Sequence, residues 1–216
     1  MDPTLSELPI FPLNTVLFPG GVLPLRVFET RYMDMVRECM KGDQRFGVCL
    51  ITAGSEVARK RGEAATPERV GCLAEIRDWD MREMGVLNIT TIGRERFRIL
   101  GSATSTGGLI RASAELIEPD LPTPVEDEHA ACVQLLARII AELEERHAQP
   151  PDADDEGTRT FPFAEPYTLG DAGWVANRLC EVLPVPLKAK QKLMELEDGR
   201  ERLAIVHTYL RQKKVL

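Results

Sequence analysis

Short apolar runs broken by glycine and proline fill the first half of the chain. Residues 8–11 and 15–18 read as short strands around a turn at Pro12-Leu13-Asn14. Residues 46–51 read as a buried strand, being short, apolar and set just after a Gly-Asp turn. Strands are also predicted over 70–79, 86–92, 95–100 and 109–117. In the third of these, Glu95, Phe97 and Ile99 share one side while Arg94, Arg96 and Arg98 share the other. That alternation predicts a half-buried strand with a solvated arginine face. One helix interrupts the series: Phe28, Tyr32, Met35, Val36, Cys39 and Met40 recur at helical spacing, and Gly42 ends the run.

The pattern changes after Glu118. Pro119, Pro122 and Pro124 form a stiff connector. Thr123-Pro124-Val125-Glu126 then reads as a helix start, with a capping threonine, a proline in the first turn and an acid behind it. Cys132, Leu135, Leu136, Ile139, Ile140 and Leu143 make one apolar stripe on a helix ending near His147. Residues 149–160 are Pro-rich and then acidic, and are read as a loop. A helix is predicted over 171–183, another from Pro186 to a stop at Asp198-Gly199, and a last one over 200–212. The expected fold class is α+β. Residues 1–118 form a β-rich lobe with one helix, and residues 119–216 form an all-helical lobe.

Charge and candidate chemistry narrow the function. The net charge of −7 disfavours non-specific binding to phosphate backbones and to anionic membranes. The basic groups that could act locally are Arg59-Lys60-Arg61, the trio Arg94, Arg96 and Arg98, and the tail Arg211, Lys213 and Lys214. The opening residues do not resemble a secretory signal, and no apolar run approaches the roughly 20 residues of a membrane span. A cytoplasmic protein is expected. Cys39, Cys49, Cys72, Cys132 and Cys180 are widely spaced without a C-x-x-C, and His129, His147 and His207 are scattered. No zinc site is expected, nor any cofactor. No Gly-Lys dipeptide occurs, so a P-loop is excluded; no dinucleotide glycine motif, nucleophile elbow or H-E-x-x-H is present either. The Gly-, Ser- and Thr-rich stretch 101–108 reads as a hairpin loop.

Residues 8–32 run LPIFPLNTVLFPGGVLPLRVFETRY. This stretch resembles the opening of the N-terminal substrate-binding domain of the ATP-dependent Lon proteases, a domain also found in cereblon. Residues 70–76, 93–98 and 190–203 resemble later segments of the same domain. The resemblance implies a pseudo-barrel β-rich lobe of PUA-like type, packed on helices, that binds unfolded polypeptide segments or partner proteins. Full Lon proteases continue into ATPase and Ser–Lys protease modules whose motifs are missing here, so a non-catalytic binding module is expected. The candidate contacts are Leu13, Val16, Leu17 and Phe18. Arg26 and Glu29 are charges in a largely apolar run; they are read as members of structural ion pairs or as substrate contacts. The alternative is a PUA-like RNA or small-ligand binder using Arg94, Arg96, Arg98 and Arg111, against which the net charge argues. A third reading, a hydrolase, requires a Ser or Cys within reach of a base in the folded chain.

Overall fold

The computed structural model describes residues 4–42, 45–56, 65–148 and 160–216. The acidic stretch 149–159 and Arg59-Lys60-Arg61 lie outside the described residues. The elements in order are β1 (Thr4–Leu13), β2 (Val22–Val27), α1 (Thr30–Lys41), β3 (Phe46–Ala53), β4 (Thr66–Pro67), β5 (Val70–Glu83), β6 (Val86–Thr104) and β7 (Ile110–Leu116). A 3-10 turn (Asp127–His129) leads into α2 (Ala130–Ala148), α3 (Ala172–Val182), α4 (Leu187–Glu195) and α5 (Gly199–Gln212).

The strands close on themselves. β1 pairs antiparallel with β7, β7 with β6, β6 with β5 and β5 with β3. β3 returns parallel onto β1, from Ile10↔Gly47 to Leu13↔Leu50, which completes a small barrel. Phe97 fills its interior with Leu8, Ile10, Leu73 and Ile99. Two glycines make room for that ring: a Cβ on Gly47 would lie 2.5 Å from it, and one on Gly71 would lie 2.6 Å from it. α1 covers the barrel from outside. Its Tyr32, Met35, Val36 and Cys39 pack on Phe11, Val27, Leu87 and Ile89, and the Phe11 and Tyr32 rings stack at 4.0 Å.

β6 unites two strands that the sequence suggests are separate. It runs through Gly93 without a break, pairing with β2 over Leu87–Ile92 and with β7 over Phe97–Thr104. Residues 15–18, expected as a strand, pair with nothing regular. Their side chains instead serve two cores: Leu17 joins the α1 cluster, while Val16 and Phe18 join the helices.

The helical cluster gathers Leu136 and Ile140 of α2, Val175 and Leu179 of α3, Met194 of α4 and Leu203 and Leu210 of α5. Val16, Phe18, Leu50 and Val70 reach into it from the barrel. Thr123 and Pro124 do not start a helix. Their backbone lies against residues 170–172, with Ala172 N–H donating to Thr123 O at 2.8 Å, so the helical turn begins only at Asp127. Asp171 holds that junction and caps α3 together, accepting from Thr123 N–H at 2.9 Å and Trp174 N–H at 2.7 Å. Asp198, expected to close α4, instead caps α5 by accepting from Arg200 N–H at 2.8 Å. α3 and α5 approach so closely that a Cβ on Gly199 would lie 2.6 Å from Gly173 Cα. Among the described residues no helix is long and apolar enough to cross a membrane.

Candidate peptide-binding surface

Leu13, Val16, Leu17 and Phe18 are all buried, with exposures of 2%, 8%, 4% and 0%. A side chain without exposed surface has no area left to bury on a partner. Buried in this way, the four pin the end of β1 and the loop after it into two cores. Arg26 and Glu29 do not pair with each other. Arg26 reaches Glu83 of β5 at 2.5 Å on the surface, and Glu29 reaches Arg31 at 2.8 Å ahead of α1.

The loop 18–21 is one half of a joint between the barrel and the helices. Gly20 N–H donates to Gly93 O, and Gly93 N–H donates to Gly21 O, both at 2.8 Å. From the other side Arg178 of α3, fully buried, donates through Nη2 to Pro19 O at 2.8 Å and to Glu181 Oε1 at 2.9 Å. Its Nη1 lies 3.1 Å from where a Gly20 Cβ would be, so only glycine, at φ +75°, suits this turn. Burial pushes the Glu181 carboxyl up to about 7, although Arg178 and Lys190 pull it down.

That shift has a testable sign. Between the ordinary carboxyl value of 4.5 and about 7, the folded chain keeps a proton on Glu181 that the unfolded chain has lost. The contribution is full below 4.5 and disappears as pH rises through 7. Glu181→Gln is expected to remove this slope. The difference in unfolding free energy between wild type and variant should then change across the window, by at most roughly 3 kcal/mol. Urea melts at stepped pH would show it, and a constant difference would refute the assignment.

A second polar cluster ties β6 to α4 and α5. Arg96 and Arg202, exposed by 2% and 1%, share the Asp120 carboxylate at 2.7 and 2.5 Å. Both also donate to Leu196 O, while Arg96 reaches Met194 O at 3.1 Å and Arg202 reaches Leu193 O at 2.9 Å. Arg96 is therefore not on a solvated face, because the helices cover it. Arg94 pairs with Glu75 at 2.6 Å, Arg98 with Glu115 at 3.3 Å and Arg111 with Glu38 at 3.3 Å. None of these arginines is left as a free cation for a phosphate, which weighs against the RNA reading.

Thiol chemistry has little purchase. All five thiols are free and buried. Burial pushes Cys39 and Cys132 up to about 11 and Cys180 up to about 12, and raises Cys49 and Cys72 as well, so none is a ready thiolate. Glu126, Glu128 and His129 bring ligand atoms within 4.8 Å of one another. Glu126 is already paired with Arg200 at 2.5 Å, and His129 packs edge-on to His207.

Exposed apolar side chains gather on the distal half of β5. β3 pairs with β5 only from Cys72 to Ala74. Beyond Ala74 the described strands leave β5 with β6 on one side and nothing on the other. Trp79, 53% exposed, stands on this stretch with Met81 and Met84 beyond it. It borders two concavities. One, of about 560 Å³, runs along the free edge between Met40 of α1, Arg45, Ile76 and Arg77. The other, of about 440 Å³, lies over Pro24, Leu25 and Ile89. Trp79 N–H is held by the Asp78 carboxylate at 2.9 Å, a local cap on one edge amide. Sequence reasoning missed this surface. Its signal was Trp79 and Met81 alternating with Asp78, Asp80 and Arg82.

The family model for the ATP-dependent protease La (LON) substrate-binding domain matches residues 7–212. The chain belongs to that family. Lon protease 2 of Herpetosiphon aurantiacus is 26% identical over 215 residues, which cover 97% of this chain and 24% of that protein. Protein cereblon of Gallus gallus is 27% identical over 150 residues, 69% of this chain and 30% of that protein. The crystal structure of a Lon N-terminal domain protein from Xanthomonas campestris superimposes with a TM-score of 0.73 at 30% identity, covering 95% of this chain and 99% of that one. The chain thus spans about a quarter of the length of the Lon proteases it matches. Within this Lon substrate-binding domain, the stretch 8–32 builds β1, the loop that Arg178 grips, and β2. Its Pro-Gly-Gly turn is a structural joint between barrel and helices.

Proposed function

We propose that this chain is a non-catalytic module that binds extended polypeptide segments of other proteins along the free edge of β5, with Trp79 as the anchor. The observation that carries the reading is the combination on one strand of an unpaired edge among the described residues, a flanking concavity and a half-exposed tryptophan. A sheet edge offers main-chain donors and acceptors to a chain that has not folded, whatever its sequence. Trp79 adds apolar area at the centre, where tryptophan most often dominates binding energy. The Asp78 carboxylate on Trp79 N–H shields the edge until a peptide carbonyl takes its place. Membership in a substrate-binding family supports the same reading. The buried free thiols suit a reducing compartment, and the proposal places the module in the cytoplasm.

Trp79→Ala is expected to weaken binding of a fluorescein-labelled, permanently unfolded polypeptide at least about tenfold, some 1.4 kcal/mol. Stability should fall by no more than about 1–3 kcal/mol, since only half of the side chain is buried, and the chain stays folded. A peptide N-methylated on alternate amides should also bind poorly. Equal affinity for Trp79→Ala and wild type, or for methylated and plain peptide, would sink the proposal.

A further inference from the structure

A second apolar concavity lies on the helical side, between the end of α3, the following loop, α4 and α5. It measures about 360 Å³, and Leu183, Val185, Pro186, Leu193, Ile205 and Tyr209 line it. Ile205 is 44% exposed, although Leu203 and Leu210 of the same helix sit in the core. We infer that this groove docks an acidic amphipathic helix of a partner protein, a class of ligand distinct from the extended segments assigned to β5.

Two observations select that occupant. First, the walls are mainly helices, whose main-chain groups are bonded within themselves. A segment that buries its backbone against such walls finds few pairing partners and must satisfy its own amides, as a helix does. Second, the rim is basic at one end. Lys192 lines the groove, Lys188 lies one turn before it on α4, and Lys213 stands over the Tyr209 ring at 5.7 Å. Arg211 and Lys214 extend the same end of α5. Lys192 is paired with Glu195 at 2.6 Å, whereas Lys188, Arg211, Lys213 and Lys214 form no ion pair among the described residues. The remaining acid on α5, Glu201, lies in its first turn, at the far end from Lys213. In a chain of net charge −7 this is a local cationic rim around an apolar floor. It complements a helix with aliphatic residues on one face and carboxylates along its flank.

The test uses the full chain and three labelled peptides of about 18 residues, long enough to form helix. One carries leucines at helical spacing among glutamates, the second replaces the glutamates with lysines, and the third places two prolines mid-helix. The first peptide is expected to bind, and the other two at least about tenfold more weakly. Ile205→Asp should lose about tenfold, with the circular dichroism spectrum unchanged because the site is exposed. Lys188→Glu with Lys213→Glu should reverse the preference between the first two peptides. Trp79→Ala should leave binding of the first peptide unchanged, which separates this site from the β5 edge. Equal binding of the lysine or proline peptide, or indifference to Ile205→Asp, would overturn the inference. So would capture of anionic phospholipid vesicles that the same variants abolish, since a lipid surface would then be the occupant.

Discussion

Asp120→Asn is expected to destabilise the protein by about 3–5 kcal/mol. Two guanidiniums, each almost wholly buried, share that one carboxylate. Removing its charge leaves both cations in a low-dielectric joint without the one carboxylate they touch among the described residues. Burial already disfavours the charged form of Arg96, and Asp120 is the main group opposing that. Replacing a buried ion cluster by apolar residues is often neutral or stabilising, and a triple change of Arg96, Arg202 and Asp120 to apolar residues tests whether that holds here. It is expected to fail. The two arginines also satisfy carbonyls of Leu193, Met194 and Leu196 around the α4–α5 turn, and those oxygens would be buried without donors. Chemical denaturation of the single and triple variants measures both effects. A loss below about 1 kcal/mol for Asp120→Asn, or recovery in the triple variant, would show that the cluster does not fasten β6 to the helices.

The arginine cluster also marks where sequence reading stops. Alternation over 94–99 correctly separates the Phe97 and Ile99 side from the arginine side, because a strand's period reveals its two faces. It cannot reveal what covers the second face. Arg96 is buried by α4 and α5, elements about a hundred residues away, and no local pattern carries that distance. The apolar stripe of α2 and, in α1, Tyr32, Met35, Val36 and Cys39 are legible, since each buries a face set by its own periodicity, whereas Phe28 and Met40 at the ends of the α1 spacing are exposed. Thr123-Pro124 misleads for the opposite reason. Its capping chemistry is sound, but residues 170–172 offer its backbone a bridge first. The surface assigned to peptide binding was the least legible. Trp79 and Met81 look like any apolar strand face, and only the departure of β3 from β5 after Ala74 leaves them exposed beside an open edge.

Gly93→Ala is expected to cost about 3 kcal/mol and to loosen the barrel from the helices. A Cβ at Gly93 would lie 2.1 Å from the Phe18 carbonyl oxygen and 3.0 Å from its carbon. The obstacle is backbone, which cannot rotate aside as a side chain can. Either β6 or the loop 18–21 must move, and the paired hydrogen bonds between Gly93 and Gly20 and Gly21 weaken with it. Overpacking strain of about 1–3 kcal/mol, plus part of two hydrogen bonds at about 1 kcal/mol each, gives the estimate. The loop's displacement has a second consequence. Phe18 sits fully buried among the helices and Arg178 donates to Pro19 O, so a shifted loop disturbs α3 through both contacts. Gly101→Ala is the control on the same strand, since its nearest neighbour would be the Ser113 hydroxyl at 3.6 Å. Amide hydrogen exchange should show faster opening of α3 in Gly93→Ala, whereas Gly101→Ala should resemble wild type. If both variants lose stability equally, the loss is common to any side chain added at a β6 glycine and does not come from the close approach at Phe18.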